Sequence, residues 1–383
     1  EGLRTQVNLM NESKERITEL KNEYEKLISQ TREIQKKYKE LRKWARKNRI
    51  TCYRLYDRDI PEIPLSLDMY EFLPDDIDSK IDAARFLAEQ NARYSANDPL
   101  VEKENSLRRF FILYLYERPY EKDENDEELW LDLMSKTVSE VFNVPVSHIL
   151  RKERRKQKGE SQYEKSTETS IVKGRVQEQG QLFNVDLSSY IDTGLFFDHR
   201  PLRAVVRNSS SGKAVLNLFC YTGSFSVYAA EGNAKSVESV DLSNTYLNWA
   251  KENMTLNGFS DSKKYIFTKG DVIKFLQEKK QANDTKYDLI ILDPPTFSNS
   301  KMSLNMLDIN KQWSELVNDC LNLLNPKGVL YFSTNSRRLI FDSTLVLKQV
   351  GNSNVNISDI TEETIPQDFK GTKIHRCWKI QLD

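Results

Sequence analysis

The sequence predicts an α/β protein: a seven-stranded, mostly parallel sheet near the C-terminus, preceded by a small α+β domain and a long N-terminal helix. Three observations predict it. From about residue 190 onward, apolar strand-like runs alternate with helical stretches, the pattern of a parallel sheet covered on both faces. Between 51 and 186 strands and helices mix less regularly. Before residue 50, apolar residues recur in steps of three and four. The expected boundaries are 1–50, 51–186 and 187–383, and 383 residues at ~150 per domain fit two or three units.

The N-terminal helix is expected over about 11–50. Ile17, Leu20, Tyr24, Leu27, Thr31, Ile34, Tyr38, Leu41 and Ala45 form a heptad seam with one polar member. It fits either a coiled coil or a helix laid on its own protein. In the middle region Cys52–Asp57, Leu107–Glu117, His148–Lys152 and Ile171–Val185 read as strands, and Glu127–Phe142 as a helix. Residues 71–106 read as an acidic inserted helix, and 155–169 as a polar loop.

In the last region strands are expected at Ala214–Phe219, Ser236–Asp241, Tyr265–Thr268, Leu289–Leu292 and Val329–Ser333. Helices are expected at Ser224–Ala230, Asn244–Asn257, Val272–Glu278, Asn310–Leu323 and Asp342–Val350. Two closing strands follow, near Val355–Ile360 and Ile374–Leu382.

Composition excludes several classes. No stretch approaches the ~18 apolar residues of a membrane span. The start lacks the order of a signal peptide, and it opens on Glu1, which fits a piece of a longer protein. Cys52, Cys220, Cys320 and Cys377 form no CxxC pair, and His148, His199 and His375 are scattered. Neither a metal site nor a disulfide framework is expected, and a reducing cytoplasm fits. The formal net charge is zero, but it is unevenly spread. Ile34 to Ile50 carries eight Lys or Arg against one Glu, and Arg151 to Gly159 six against one. Such patches, not the mean, bind phosphate. The candidate RNA-binding residues are Arg151, Lys152, Arg154, Arg155, Lys156 and Lys158, with Tyr163 nearby. A solvated loop is the competing reading, and the basic helix end (Lys43, Arg46, Lys47, Arg49) has the same two readings.

The chemistry lies at strand ends, where open sheets bind ligands. The first strand runs through Asn217 and Phe219 into a turn at Tyr221, Thr222 and Gly223, then a helix at Ser224. One glycine, rather than GxGxxG, disfavours a dinucleotide pyrophosphate site. Asp241, with Leu242 after it, ends the second strand eighteen residues past Gly223, where an acid accepts ribose hydroxyls. Asp271, followed by Val272, ends the third, where an adenine amino group could be met. Either Asp alone could be a helix cap. The fourth strand ends in Asp293-Pro294-Pro295-Thr296-Phe297: prolines fix the backbone, Asp293 accepts from a base amino group, and Phe297 stacks on a flat ring. Asp192–Arg200, just before the first strand, reads as a lip with Phe197, Asp198 and Arg200 near the ligand, or as a structured loop opening a helix.

Several segments resemble one family. Leu41–Lys47, Cys52–Asp57, Asp192–Arg200, Asn217–Ser224, Asp293–Lys301, Gln367–Phe369 and His375–Trp378 are similar to the C-terminal half of the bacterial bifunctional 23S rRNA guanine methyltransferases of the RlmKL type. The resemblance covers about residues 40–383. It implies a Rossmann-like class I methyltransferase domain, S-adenosyl-L-methionine as methyl donor with S-adenosyl-L-homocysteine as product, and guanine N7 of 23S rRNA or a large-subunit precursor as acceptor. It also implies a separate or fused N-terminal half that makes N2-methylguanine. The acidic stretch at 71–106 is longer than the family pattern.

On this reading Asp293, Pro294 and Phe297 are the catalytic candidates. Phe197, Asp198, Arg200, Asn217, Phe219, Tyr221, Thr222, Gly223, Ser224, Asp241, Leu242, Asp271, Val272 and Asp293 line the cofactor. Cytosine-C5 chemistry needs a thiolate at the fourth or fifth strand end, and neither end carries Cys. Guanine N7 has a free lone pair, so approach and orientation suffice. Two alternatives stay open: methylation of an exocyclic amine (guanine N2 or adenine N6), and a non-catalytic RNA-binding assembly factor.

Overall fold

The computed structural model describes residues 2–58, 63–117, 123–154, 171–282, 286–298 and 307–383. Helix α1 (Gly2–Lys47) begins earlier than the apolar seam suggests. Of that seam Ile34, Tyr38, Leu41 and Ala45 pack into the first core, while Ile17 is exposed. The C-terminal third therefore lies on its own protein.

A four-stranded sheet of order β1-β2-β3-β4 follows: β1 (Cys52–Asp57), β2 (Leu65–Glu71), β3 (Arg109–Tyr116) and β4 (Ile149–Arg154). The first two pairings are antiparallel and β3–β4 is parallel. β2 is absent from the expected elements, although Leu65, Leu67 and Met69 alternate onto one face and join the core under α1. The acidic insert is two helices, α2 (Lys80–Ser95) and α3 (Pro99–Ser106), because Asp98 and Pro99 end one and cap the next. α4 (Glu124–Phe142) covers the same face as α1, capped by Asp123 and ended by Asn143 in the left-handed conformation. The single strand expected at 171–185 is a hairpin, β5 (Lys173–Glu178) and β6 (Gln181–Asp186), turning at Gln179 and Gly180, both with positive φ.

The large sheet follows α5 (Arg200–Ser209). It contains β7 (Ala214–Leu218), β8 (Ser236–Asp241), β9 (Tyr265–Lys269), β10 (Tyr287–Leu292), β13 (Leu324–Thr334), β14 (Gln349–Val350), β15 (Ser353–Asp359) and β16 (Arg376–Leu382). Between them run α6 (Ser224–Glu231), α7 (Asn244–Leu256), α8 (Val272–Ala282), α9 (Ile309–Asn322) and the short α10 (Thr361–Thr364). A small ladder, β11 (Phe297–Ser298) with β12 (Leu307–Asp308), flanks α9. The order is β14-β15-β16-β13-β10-β7-β8-β9. From β9 to β13 pairing is parallel, and β16, β15 and β14 are antiparallel. Seven strands are thus joined by a two-residue edge. The helix expected at 342–350 is a correction: a 3-10 turn at Ser343–Leu345 capped by Asp342, then β14. Val346 is buried, but Ile340 and Leu345 are exposed, too little apolar surface to fasten a helix.

The chain adds β8 and β9 on one side of β7, then β10 and β13 on the other. The crevice beyond the carboxyl ends of β7 and β10 is therefore the topological switch point, where such sheets bind ligands. A core shared by both sheets (Tyr70, Ile112, Tyr114, Phe183, Val185, Phe197, Tyr228, Phe369) joins the small domain to it through the hairpin.

Candidate active site

The turn after β7 is strained in a way that sequence does not reveal. Phe219, Tyr221 and Gly223 all have positive φ, at 54°, 51° and 76°, and non-glycine residues there cost of order 1–3 kcal/mol each. The left-handed steps expose backbone at the crevice before α6 begins at the half-buried Ser224. Gly223 is required twice over, since a Cβ would sit 2.8 Å from the Ala250 Cβ on α7. Tyr221 packs against Phe196 and Tyr246, and its buried hydroxyl has no aligned partner among the described residues.

Asp241 ends β8 under this turn. One oxygen accepts from the Tyr221 N–H at 3.0 Å and the other from the Ser243 N–H at 2.8 Å. Burial pushes its carboxyl above the ordinary value. A carboxylate has about four acceptor sites, so Asp241 can still receive ribose hydroxyls. Leu242 beside it is half-buried. Asp271 accepts from Lys274 N–H at 3.1 Å, the capping role weighed for it, and the Val272 side chain belongs to the core.

Other candidates sit elsewhere. Arg200 is 1% exposed: it bonds Glu178 at 2.9 Å, Asp368 at 2.8 Å and the Cys52 carbonyl at 3.0 Å. With the Arg54 N–H also bonding Asp368, Arg200 ties α5 to β1, and its buried guanidinium is turned to these partners. Phe197 packs on Tyr70 in the shared core. Asn217 is buried and bonds Ser226, which meets Ser239, locking β7, α6 and β8 together. Thr222 donates to the Gly194 carbonyl and ties the lip to the turn. These four support the site from behind.

At β10 the structure adds what sequence reading missed. Asp293 Oδ1 accepts from Ser333 Oγ at 2.6 Å and lies 3.2 Å from His199 Nε2. His199 Nδ1 lies 3.0 Å from Asp198 Oδ2, close enough for an ion pair though poorly aligned as a hydrogen bond. His375 Nδ1 reaches the same Asp198 oxygen at 3.4 Å, and its Nε2 meets Thr364 Oγ1 at 3.0 Å. Two histidines 176 residues apart thus meet with rings 4.6 Å apart. Burial opposes charge on His199, but Asp293 and Asp198 outweigh it and raise its pKa to about 10. The imidazolium in turn holds both carboxyls below the ordinary range against their burial. Asp198, His199 and His375 place ligand-type atoms within 4.8 Å of one another, but a protonated His199 has no lone pair for a metal.

Pro294 is buried, and β11 sets Phe297 opposite Asp308. All four cysteines are buried, and burial raises their thiols, so none offers a ready thiolate. Among the basic candidates, Arg151 pairs with Glu128 and Asp132 of α4. Lys152 holds the Tyr190 and Ile191 carbonyls. Both are therefore partly committed within the fold. Arg154 ends β4. Arg155, Lys156, Lys158 and Tyr163 lie outside the described residues.

A strained turn, an acid at the next strand end and an ionised Asp-Pro-Pro at the switch point define a nucleoside-cofactor enzyme on an α/β sheet. The family model for S-adenosylmethionine-dependent methyltransferases matches residues 115–355, and the chain belongs to that family. It is 38% identical over 348 residues to the Ribosomal RNA large subunit methyltransferase K of Neisseria meningitidis, covering 90% of this chain and 85% of that one. It is 37% identical to the Ribosomal RNA large subunit methyltransferase K/L of Magnetococcus marinus over 91% of this chain but 42% of the relative. The chain thus spans less than half the length of the K/L relatives. The solved structure of SMU.776 complexed with SAH shares the fold at TM-score 0.63 and 20% identity, over 93% of this chain and 81% of that one. The cofactor is S-adenosylmethionine, and the remaining acceptor sites of Asp241 under the β7 turn fit it. No helix among the described residues is long and apolar enough to cross a membrane.

Proposed function

We propose that the chain methylates N7 of a guanine in large-subunit ribosomal RNA. The observation that carries the reading is the geometry of the Asp293 corner, where His199 at 3.2 Å and Ser333 at 2.6 Å both meet Oδ1. Asp293 is held ionised by an imidazolium and by the Ser333 hydroxyl, both on Oδ1. That leaves Oδ2 to accept from the N1 or N2 hydrogens of guanine.

The bound cofactor supplies an electrophilic methyl group, with Asp241 and the β7 turn as its holders. Guanine N7 attacks with a lone pair and loses no proton, so the base becomes cationic. A carboxylate fixed beside it stabilises that developing charge. His199 already carries its proton at neutral pH, so it orients Asp293 and is not a general base. Pro294 fixes the strand end, and Phe297 is proposed to stack on the guanine. Because duplex RNA hides N7 in a deep groove, the target is unpaired or flipped out. The names of the K and K/L relatives support ribosomal RNA as the substrate class.

An exocyclic amine is the second reading, favoured by the Asp-Pro-Pro corner itself, because Asp293 could take the departing proton. Chromatography of nucleosides from rRNA labelled by the protein separates the two. N7-methylguanosine is expected, and N2-methylguanosine or N6-methyladenosine would overturn the N7 reading. Asp293→Ala is expected to bind cofactor and transfer no methyl.

A further inference from the structure

A cleft of mixed polar and apolar lining lies between the ends of α1 and α2, and no residue of it comes from the large sheet. Arg42 and Arg46 on α1, and Arg49 just past its end, follow one another at helical spacing along one wall. Gln90, Asn91 and Tyr94 on α2 face them. The Arg46 guanidinium lies 3.4 Å from the Tyr94 ring centroid, yet its Nη2 is buried without a hydrogen-bond partner among the described residues. Gln90 is only 6% exposed, and its Oε1 is also buried and unpartnered. Orphaned buried groups of this kind are costly and are usually met by water or a ligand.

The charges around the orphans are unbalanced. Arg42 is paired with Glu102, and Glu71, the acid on the wall, is taken by Arg109 at 2.7 Å. Arg46 has no such acid among the described residues. Burial and the neighbouring Arg42 charge lower its pKa, the sign of a cation short of an anion. The cleft therefore asks for a ligand that is anionic on one side and donates a hydrogen bond on the other. A ribonucleotide supplies both from separate groups, the charge from its phosphate and the donor from its ribose hydroxyl.

We propose that this cleft holds one nucleotide of an RNA strand, its phosphate on Arg46 and Arg49 and its ribose 2′-hydroxyl donating to Gln90 Oε1. The proposal rests on RNA being the substrate class and adds a second anchoring point outside the methyl-transfer site. It also gives the acidic insert a role: α2 brings the acceptor that tells RNA from DNA.

The test is fluorescence anisotropy of labelled single-stranded RNA and of DNA of the same sequence, on the full chain across a salt series. Wild type is expected to favour RNA. Arg46→Gln is expected to weaken RNA binding about tenfold or more and to flatten the salt dependence by about one phosphate contact. Gln90→Leu is expected to narrow the RNA–DNA difference. Cofactor affinity, measured by calorimetry, is expected to stay at the wild-type value in both variants and reports that they are folded. Wild-type RNA affinity in both variants would overturn the proposal, since the cleft then holds water only. Competition by a free nucleoside monophosphate at micromolar concentration would also overturn it in favour of a small-molecule site. Wild-type protein that binds RNA in this pattern but never methylates it would overturn the proposed function and leave the cleft standing.

Discussion

Replacing His199 by Gln removes the charge between Asp198 and Asp293 while leaving an amide able to donate to one of them. His199 Nε2 is 3.2 Å from Asp293 and Nδ1 is 3.0 Å from Asp198. At an effective dielectric of about 20, each attraction is roughly 5 kcal/mol before the cost of burial is set against it. The net loss on breaking such a buried group is about 3–5 kcal/mol, because two carboxylates are left without their cation. The pH dependence follows from the sign of each shift. The His199 pKa is raised from 6.5 to about 10, so its contribution is complete below pH 6.5 and is lost as pH rises through about 10. Asp198 and Asp293 are lowered, so theirs holds above the ordinary carboxylate range and is lost on acidification through the depressed values. Urea unfolding of wild type and His199→Gln at a series of pH values is the assay. The expected gap is about 3–5 kcal/mol near pH 6.5, narrowing as pH climbs past 10. Methyl transfer by the variant is expected to fall off at higher pH on the acid side, because Asp293 no longer has an imidazolium to keep it ionised. A gap that is absent, or unchanged from pH 6.5 to above 10, would refute the reasoning.

Three further outcomes are expected. Asp241→Ala removes the ribose acceptor and is expected to weaken cofactor binding by about 1.5–3 kcal/mol in calorimetry; unchanged affinity would remove Asp241 from the site. Gly223→Ala meets both a positive φ and a 2.8 Å approach to Ala250, so thermal unfolding is expected to show a loss of about 2 kcal/mol or more. Arg200→Met strands Asp368 and weakens the anchor of Glu178, and a loss of about 3–5 kcal/mol is expected. Cofactor affinity of the folded Arg200→Met protein is expected to be unchanged, and a selective loss of affinity would return Arg200 to the cofactor site.

Strand ends were legible in the sequence because the period of a buried parallel strand and the residue that stops it lie side by side. Asp241, Asp271 and Asp293 therefore stand at the carboxyl ends of β8, β9 and β10, or one turn beyond. Roles that depend on side-chain direction were not legible. Asn217 and Thr222 share the motif with Gly223, but their side chains point away from the crevice into buried polar contacts. Arg200 reads as available in the sequence because its partners, Glu178 and Asp368, lie 22 and 168 residues away. The His199–His375 contact spans the same kind of gap. The one local hint was Asp198 beside His199 in a segment already singled out. β2 is hard to read in the sequence although Leu65, Leu67 and Met69 alternate, because Ser66 and Asp68 between them are buried too. Asp68 is there because Arg54 needs it, at 2.7 Å, a pairing between neighbouring strands that no single window of sequence contains.

The central claim is methyl transfer to guanine N7, and strand scission tests it most directly. Unmodified 23S rRNA is incubated with the protein and S-adenosylmethionine, reduced with borohydride and treated with aniline, which cleaves at N7-methylguanine. The account predicts one discrete cleavage that requires the cofactor and disappears with Asp293→Ala. Methyl incorporation into the RNA without cleavage would contradict it.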